Sequence, residues 1–142
     1  ILRTSWVIGE GKNFVRTMLG LADKGISPSV VSDQIGRLTF TSEVVRAIDH
    51  LLTTKAAFGT YNVTNDGDPA SWADVTRQIF ADAGRADLMV TDQSTVDYFK
   101  DKPEAAPRPL YSTLELDKLK ATGFSPRNWK DDLKEYINKE QR

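Results

Sequence analysis

The sequence predicts an α/β domain in which strands and helices alternate along the chain. Two observations lead to this prediction. Short runs rich in β-branched residues end at glycines or polar turn clusters, and most are followed by a segment whose apolar residues recur at helical spacing. Alternation of this kind is typical of α/β folds. At 142 residues the chain is expected to form one domain, residues 1–142.

The predicted order begins with a strand at Ile1–Ile8, which Gly9 closes. Asn13 is expected to cap the first helix and Gly25 to end it. An extended stretch follows over residues 30–40. A chain that opens inside a strand is expected to be an excerpt from a longer protein. Its open sheet edge favours a homodimer, because an unpaired edge invites pairing with another chain.

A second helix is expected after Thr41 or Ser42, either of which would be its cap. The alternating, β-rich segment 59–64 predicts the next strand. The apolar face of the second helix is predicted to consist of Val44, Val45, Ile48, Leu51 and Leu52.

Ser71 and Asp74 are spaced as in a capping box, with Asp in place of the usual Glu or Gln, and predict a third helix. A short strand is expected at 88–90. Residues 92–112 contain three prolines and are expected to be irregular, and long loops are usually functional or disordered. Two helices follow, at 113–121 and after the cap residue Asn128, and the last buries Trp129, Leu133, Tyr136 and Ile137.

Composition excludes several classes of protein. The net charge of −1 and the absence of a basic stripe argue against nucleic-acid binding. No stretch approaches the ~20 apolar residues of a membrane span. The chain has no cysteine, which excludes thiolate catalysis and fits a cytoplasmic protein. The alternating charges of residues 130–135 favour a solvated helix face.

Four motifs that could carry chemistry are incomplete. Tyr98 and Lys102 are four residues apart, as in a dehydrogenase catalytic pair, but Pro103 follows and no helical pattern surrounds them. Segment 65–68 resembles the start of a calcium loop but lacks the acidic twelfth position. His50 is the sole histidine, without other ligands nearby, so we expect no metal site. Segment 9–11 lacks the third glycine of a dinucleotide fingerprint.

Two features remain as candidate binding residues. The first is Arg3-Thr4-Ser5-Trp6 at the carboxyl end of the first strand, where ligands of α/β proteins bind, with Asn13 at the helix that follows. Trp6 could stack on a sugar or belong to the core. The second is Arg108 between two prolines, because a guanidinium in such a loop suits phosphate or carboxylate, although a plain surface arginine is the alternative.

Four segments together resemble, in order and spacing, the carboxyl half of dTDP-4-dehydrorhamnose reductase, a family of extended short-chain dehydrogenases. They read ILRTSWVIGEGKNFVRTM, VVSDQIGRLTFT, GTYNVTNDGDPASWADV and APRPLYSTLELDKLKATGF. The resemblance implies the carboxyl-terminal portion of a Rossmann-like fold that lacks the dinucleotide-binding half. It also implies reduction of dTDP-4-dehydro-L-rhamnose to dTDP-L-rhamnose with NADPH or NADH, and in some members an epimerase domain fused upstream.

The resemblance assigns roles to seven residues. Thr4 and Ser5 would neighbour the cofactor. Trp6 would pack on the deoxysugar, and Arg108 would face the diphosphate. The other substrate-binding residues would be Asn13, Phe14 and Gln34.

No catalytic residue is expected in this chain, because the family's glycine-rich turn and Tyr-x-x-x-Lys pair would lie upstream; the chain alone is therefore expected to be inactive. The sequence departs from the family pattern at Arg37-Leu38-Thr39, where proline is usual, and at Ile8, where tyrosine is common. The alternatives are another nucleotide-sugar epimerase or dehydratase, a non-catalytic nucleotide-sugar-binding module, and a structural interaction domain.

Overall fold

A computed structural model describes residues 1–142. Helices and strands alternate, as predicted. The helices are α1 (Phe14–Asp23), α2 (Thr41–Thr53), α3 (Trp72–Asp82), α4 (Thr95–Phe99), α5 (Asp117–Lys120) and α6 (Trp129–Glu140). The strands are β1 (Leu2–Arg3), β2 (Val7–Ile8), β3 (Ser29–Val31), β4 (Ile35–Gly36), β5 (Thr39–Phe40), β6 (Tyr61–Asn62), β7 (Ala70–Ser71) and β8 (Thr91–Gln93).

The strands form four separate two-stranded ladders. The pairs β1–β6, β2–β5 and β3–β8 are parallel, and β4–β7 is antiparallel. Each parallel pair joins segments that are distant in sequence. Strand β1 has no strand partner on its second edge.

The prediction of one continuous strand over Ile1–Ile8 is wrong. Trp6 has φ 50, in the left-handed region that L-residues rarely adopt, and this turn separates β1 from β2. The two halves therefore pair with different strands. The turn sends the Trp6 side chain toward α3 instead of leaving it on a strand face.

The caps predicted for three helices are confirmed. The Asn13 side chain accepts a hydrogen bond from the Arg16 N–H, Ser71 and Asp74 form a reciprocal capping box, and Asn128 caps α6. For α2 the prediction is wrong. Its N-cap is Phe40, without a side-chain hydrogen bond, so neither Thr41 nor Ser42 has that role.

The apolar face predicted for α2 is right only in part, because Val44 and Leu51 pack against a buried cluster but the other predicted residues are exposed. The side chains of Val45 and Leu52 are 63% and 72% exposed, whereas Glu43 and Ala47 are fully buried. Glu43 is buried because it accepts the Arg127 backbone N–H at 2.8 Å and pairs with Arg46 at 2.5 Å. Polar contacts of Glu43 and apolar packing of Ala47 thus share the inward side of α2.

One main core holds the elements together. It lies among α1, α3, α6 and the strands between them and includes Trp129, whose indole N–H donates to the Asp68 carbonyl at 2.9 Å. A smaller cluster packs α2 and α5 onto β6; its buried members are Ala47, Tyr61, Val63, Leu119 and Phe124.

Several boundaries in the carboxyl half differ from the predictions. The strand expected at 88–90 lies at β8, the irregular segment 92–112 contains the short helix α4, and the helix expected at 113–121 is only α5. Asp132, expected on a solvated face, is buried because it accepts a hydrogen bond from Asn65 at 2.7 Å and pairs with Arg127.

Candidate functional site

Three aromatic side chains form a wall beside the carboxyl end of β1. The rings of Trp6 and Trp72 stack with their centroids 3.8 Å apart, and Phe14 meets Trp72 at 4.4 Å. Gly36 lies directly against the Trp6 indole, since a Cβ atom built there would be 2.8 Å from the ring. The sequence therefore brings two predicted site residues, Trp6 and Phe14, onto one wall.

This wall borders an apolar cavity of about 290 Å³. The cavity lies between α1, β3 and α4, and it is large enough for a planar ring. Its lining contains no acidic or basic side chain and few polar groups. The lining residues are Phe14, Met18, Leu21, Pro28, Ser29, Val30, Val31, Gln34, Trp72, Tyr98 and Phe99.

Gln34 supplies the one side-chain amide in the lining of this cavity. Its side chain is buried, and its Nε2 donates to Thr95 Oγ1 at 3.3 Å. A few precisely placed polar groups in an apolar cleft are typical of small-molecule sites, because they fix the orientation of the ligand. The predicted substrate residue Gln34 thus lies where it can contact a ligand.

Helix α4 closes one side of the cavity with Tyr98 and Phe99. Lys102 lies over the Tyr98 ring, with Nζ 3.3 Å from the ring centroid. Its ammonium therefore contacts the aromatic face, and the pair is not arranged as phenol and ammonium on one helix face.

Ser5 and the loop after α4 meet at β4. The Ser5 hydroxyl donates to the Ser112 carbonyl at 3.0 Å. The Ile35 N–H donates to the Leu110 carbonyl, and the Ser112 N–H donates to Ile35, both at 2.7 Å. Arg108 precedes this pairing by two residues, and its exposed side chain makes no hydrogen bond or ion pair with the rest of the chain.

The remaining predicted residues have different surroundings. Thr4 is exposed. Asn13 is occupied within the chain, because its Nδ2 donates to the Gly9 carbonyl and to the Tyr136 hydroxyl, both at 2.9 Å. The Asn13 side chain therefore holds α1 against the turn before it and against α6, and no free donor is directed at the cavity.

Arg37 makes ionic contacts next to Leu38, the residue that stands where proline is expected. Arg37 is buried and pairs with Asp66 at 2.9 Å, and Lys120 pairs with the same carboxylate at 2.6 Å. Partial burial alone would raise the pKa of Asp66. Hydrogen bonds from Lys120 and the Gly67 N–H, with the Arg37 charge, outweigh it and hold that pKa below its usual value.

The turn at Gly9 is not built as a cradle for the phosphates of a dinucleotide. Gly9 packs closely against Thr41, since a Cβ atom built on Gly9 would lie 2.6 Å from the Thr41 side chain. The Gly9 carbonyl accepts hydrogen bonds from Asn13 and Tyr136. Glycines of a phosphate-binding turn instead leave room for the ligand. That Thr4 and Ser5 neighbour a cofactor stays a prediction.

No group of three or more His, Asp or Glu side chains is placed to hold a metal ion. His50 is half-buried, and its Nε2 contacts the Thr122 carbonyl and hydroxyl at 3.0 Å. None of the helices is long and apolar enough to cross a membrane.

Sequence reasoning missed three residues of the cavity region. Trp72, Thr95 and Asp33 are not among the residues that the sequence singles out as candidates for binding. Thr95 N–H and Oγ1 both donate to Asp33, at 2.9 and 2.6 Å. No local pattern predicts this contact, because it depends on the pairing of β3 with β8.

Comparison with known proteins identifies the family to which the chain belongs. The family described as RmlD substrate binding domain matches residues 1–142. The spore coat polysaccharide biosynthesis protein SpsK of Bacillus subtilis is 37% identical over 138 residues, which are 96% of this chain and 46% of that protein.

Two solved structures are similar to the whole chain. A dTDP-4-dehydrorhamnose reductase from Clostridium acetobutylicum has a TM-score of 0.87 and 36% identity, covering 99% of this chain and 48% of its own. The dTDP-4-dehydrorhamnose reductase of Bacillus anthracis, solved in complex with NADP, has a TM-score of 0.80 and 34% identity, covering 98% and 47%.

The fold is that of the carboxyl-terminal part of the Rossmann-like extended short-chain dehydrogenases. More particularly, the chain belongs to the RmlD substrate binding domain family. It spans about half the length of the curated relatives that it matches. The family expectation from the sequence is thereby confirmed.

Proposed function

We propose that this chain is the substrate-binding part of a reductase that converts dTDP-4-dehydro-L-rhamnose to dTDP-L-rhamnose. The observation that carries the proposal is the apolar cavity with one buried amide, Gln34, beside the stacked Trp6 and Trp72. An apolar cleft with a single amide suits a nucleobase, which offers two flat faces and a hydrogen-bonding edge.

In this proposal the thymine ring enters the cavity and contacts Phe14 and Trp72. The deoxysugar lies at the exposed rim of Trp6. Trp6 is only half-buried, so part of its ring surface is free for a sugar. Asn13 positions α1 and does not touch the substrate, because its amide is already bonded to Gly9 and Tyr136.

Arg108 binds the diphosphate in this arrangement. Its guanidinium is exposed and unpaired, so binding a phosphate breaks no contact within the chain. The pairing of Leu110 with Ile35 anchors the loop one residue from Gln34. A guanidinium can donate two parallel hydrogen bonds to a phosphate, which makes it a suitable partner for a diphosphate.

The chemistry of reduction belongs to a part of the protein outside these residues. NADPH or NADH supplies the hydride in the whole enzyme. Here Thr4 and Ser5 border the cofactor, while the proton donor and the phosphate cradle come from elsewhere. We therefore expect the 142-residue chain alone to oxidise no NADPH in the presence of the keto sugar.

The free edge of β1 supports the presence of a further part. A lone pair of parallel strands is unusual, because parallel sheets are normally buried on both faces. Exposed apolar side chains line one groove with Leu2 of β1, namely Ile1, Ile48, Leu52 and Phe58. We propose that the amino-terminal half of the reductase covers them. The homodimer expected from the sequence is the competing occupant, and light scattering of the chain distinguishes the two.

The test is a nitrogen–proton NMR titration of the chain with dTDP-L-rhamnose, repeated with NADPH. We expect shifts of the Trp6 and Trp72 indole signals and of signals near Arg108 with the sugar nucleotide, and small or no shifts with NADPH. A folded sample that responds to neither ligand would overturn the proposal. Normal reductase turnover by the chain alone would overturn the assignment of the chemistry to another part.

A further inference from the structure

A chain of hydrogen bonds joins Asp33, Thr95 and Gln34 at the cavity. Thr95 donates its backbone N–H to both carboxylate oxygens of Asp33, at 2.9 and 3.1 Å, and its hydroxyl to Oδ1 at 2.6 Å. The Gln34 amide donates to the same hydroxyl at 3.3 Å. The pairing of β3 with β8 brings these residues together.

The hydroxyl of Thr95 determines which way the Gln34 amide faces. A hydroxyl has one proton, and an ionised carboxylate can only accept, so the Thr95 proton is used on Asp33. Thr95 can then only accept a hydrogen bond from Gln34, which must present its NH₂ group. A flipped amide would place two acceptors against each other.

The Gln34 oxygen is left without a partner in the chain. It makes no hydrogen bond within the chain. The polar side-chain atoms that are both unpaired and fully enclosed are Arg37 Nε, Thr39 Oγ1 and Asp82 Oδ2, and the Gln34 oxygen is not among them. Because Gln34 lines the cavity, this oxygen is an acceptor within reach of a molecule there.

We infer that Asp33 and Thr95 make Gln34 the residue that selects the base of the nucleotide. The fixed amide oxygen accepts the ring N–H of a thymine or uracil imide. Cytosine has a lone pair at that ring nitrogen. Two acceptors would therefore face each other, and no hydrogen bond would form. This inference rests on the proposed function and adds the base selectivity of the same site.

The same contacts position helix α4 at the side of the cavity. Tyr98 and Phe99 follow Thr95 within one helical turn and close the cavity. Thr95 and Asp33 are therefore positioning residues, which act through Gln34 and α4 without touching the ligand.

The test compares binding of dTDP and dCDP to the 142-residue chain by calorimetry. We expect the unchanged chain to prefer dTDP by about tenfold or more, because the wrong base leaves a buried acceptor unpaired. Thr95→Val frees the Gln34 amide to rotate and should reduce the preference to less than about threefold. Thr95→Ser keeps the hydroxyl and should restore the preference.

Two further variants make the test specific. Thr91→Val is the matched control, because Thr91 is an exposed residue of β8 whose side chain makes no hydrogen bond. It should keep the full preference. Asp33→Ala removes an exposed side chain and leaves the Thr95 proton free to turn toward Gln34. It should lose the preference even if Thr95→Val does not fold.

Each outcome is informative. Full preference in folded Thr95→Val, or in Asp33→Ala if Thr95→Val is unfolded, would overturn the inference. Equal binding of dTDP and dCDP by the unchanged chain would overturn it while leaving the proposed function intact. Binding of neither nucleotide would overturn the proposed function and, with it, this inference.

Discussion

The indole rings of Trp6 and Trp72 lie face to face, 3.8 Å apart and 19° from parallel. The positive φ of Trp6 turns its ring away from the strands, and α3 supplies the second ring at its first residue. The stack needs a bare backbone at Gly36, against which the Trp6 indole lies. One wall of the site thus depends on three segments that are remote in sequence.

Gly36→Ala should therefore separate the two indoles. The new Cβ would be 2.8 Å from the Trp6 ring, so the ring must shift. We expect a weaker near-ultraviolet circular dichroism signal and weaker binding of dTDP-L-rhamnose. Gly20→Ala is the control, because a Cβ atom built on Gly20 would meet no other atom within 4 Å. Gly20 lies inside α1, where alanine is more stable than glycine by about 0.5–1 kcal/mol. An unchanged spectrum for Gly36→Ala would contradict the prediction.

Asn13→Ala should lower the free energy of unfolding by about 1–2 kcal/mol, because it removes the cap of α1 and two further hydrogen bonds. Tyr136→Phe, which removes only the hydroxyl on the other side of that contact, should cost about 1 kcal/mol. Urea denaturation measures both. A loss of binding without a loss of stability in Asn13→Ala would instead give Asn13 a direct role toward the substrate.

Glu43→Gln should destabilise the protein by about 2–3 kcal/mol, because a buried charge bonded to Arg46 and to the Arg127 N–H is removed. Glu135→Gln is the matched control. Its carboxylate also pairs with Arg127 but is 57% exposed, and exposed pairs contribute about 0–1 kcal/mol. Equal losses for the two variants in thermal unfolding would show that burial of Glu43 does not matter.

Arg108→Ala should weaken binding of dTDP-L-rhamnose about tenfold and leave the melting temperature unchanged, because the exposed side chain makes no hydrogen bond or ion pair within the chain. Arg108→Lys should bind with intermediate affinity, since an ammonium cannot donate two parallel hydrogen bonds. Lys100→Ala removes a positive charge from the same region and should have little effect. Affinity unchanged in Arg108→Ala would refute a diphosphate role.

Acid should destabilise the protein at a pH below the ordinary carboxylate range. The pKa values of Asp66 and Asp74 are lowered by their hydrogen bonds and neighbouring cations, although partial burial opposes this. A lowered pKa means that the stabilising charge is complete above the unfolded pKa of about 4 and is lost as the pH falls through the folded value. Asp66→Asn should flatten this loss in stability measured from pH 7 to 2.

Local signals predicted the helix starts well. Asn13, Ser71 and Asn128 all cap the helices that they were expected to cap, because capping depends on a few neighbouring residues. The face of α2 could be predicted only in part this way, since Val44 and Leu51 pack inward. Glu43 is buried by Arg127, which is far along the chain, while Val45 and Leu52 remain exposed. A hydrophobic pattern alone does not contain that tertiary contact.

The candidate site was predicted in part. Phe14 and Gln34 line the cavity, Trp6 supports its wall, and Ser5 lies close by at β4. The roles of these residues toward a ligand remain predictions. The contribution of α4 was missed, because residues 92–112 have no regular pattern and their placement depends on the pairing of β3 with β8.

The parallel ladders also bear on how fast the chain can fold. Leu2 pairs with Tyr61, and Ser29 pairs with Thr91, so each ladder closes a loop of dozens of residues before it gains a hydrogen bond. Loop closure costs entropy that must be met before distant contacts contribute, and high contact order slows folding. The helices can form early from their own caps, but the aromatic wall is completed only when these distant segments meet. Refolding followed by Trp fluorescence should therefore lag behind the recovery of helical circular dichroism.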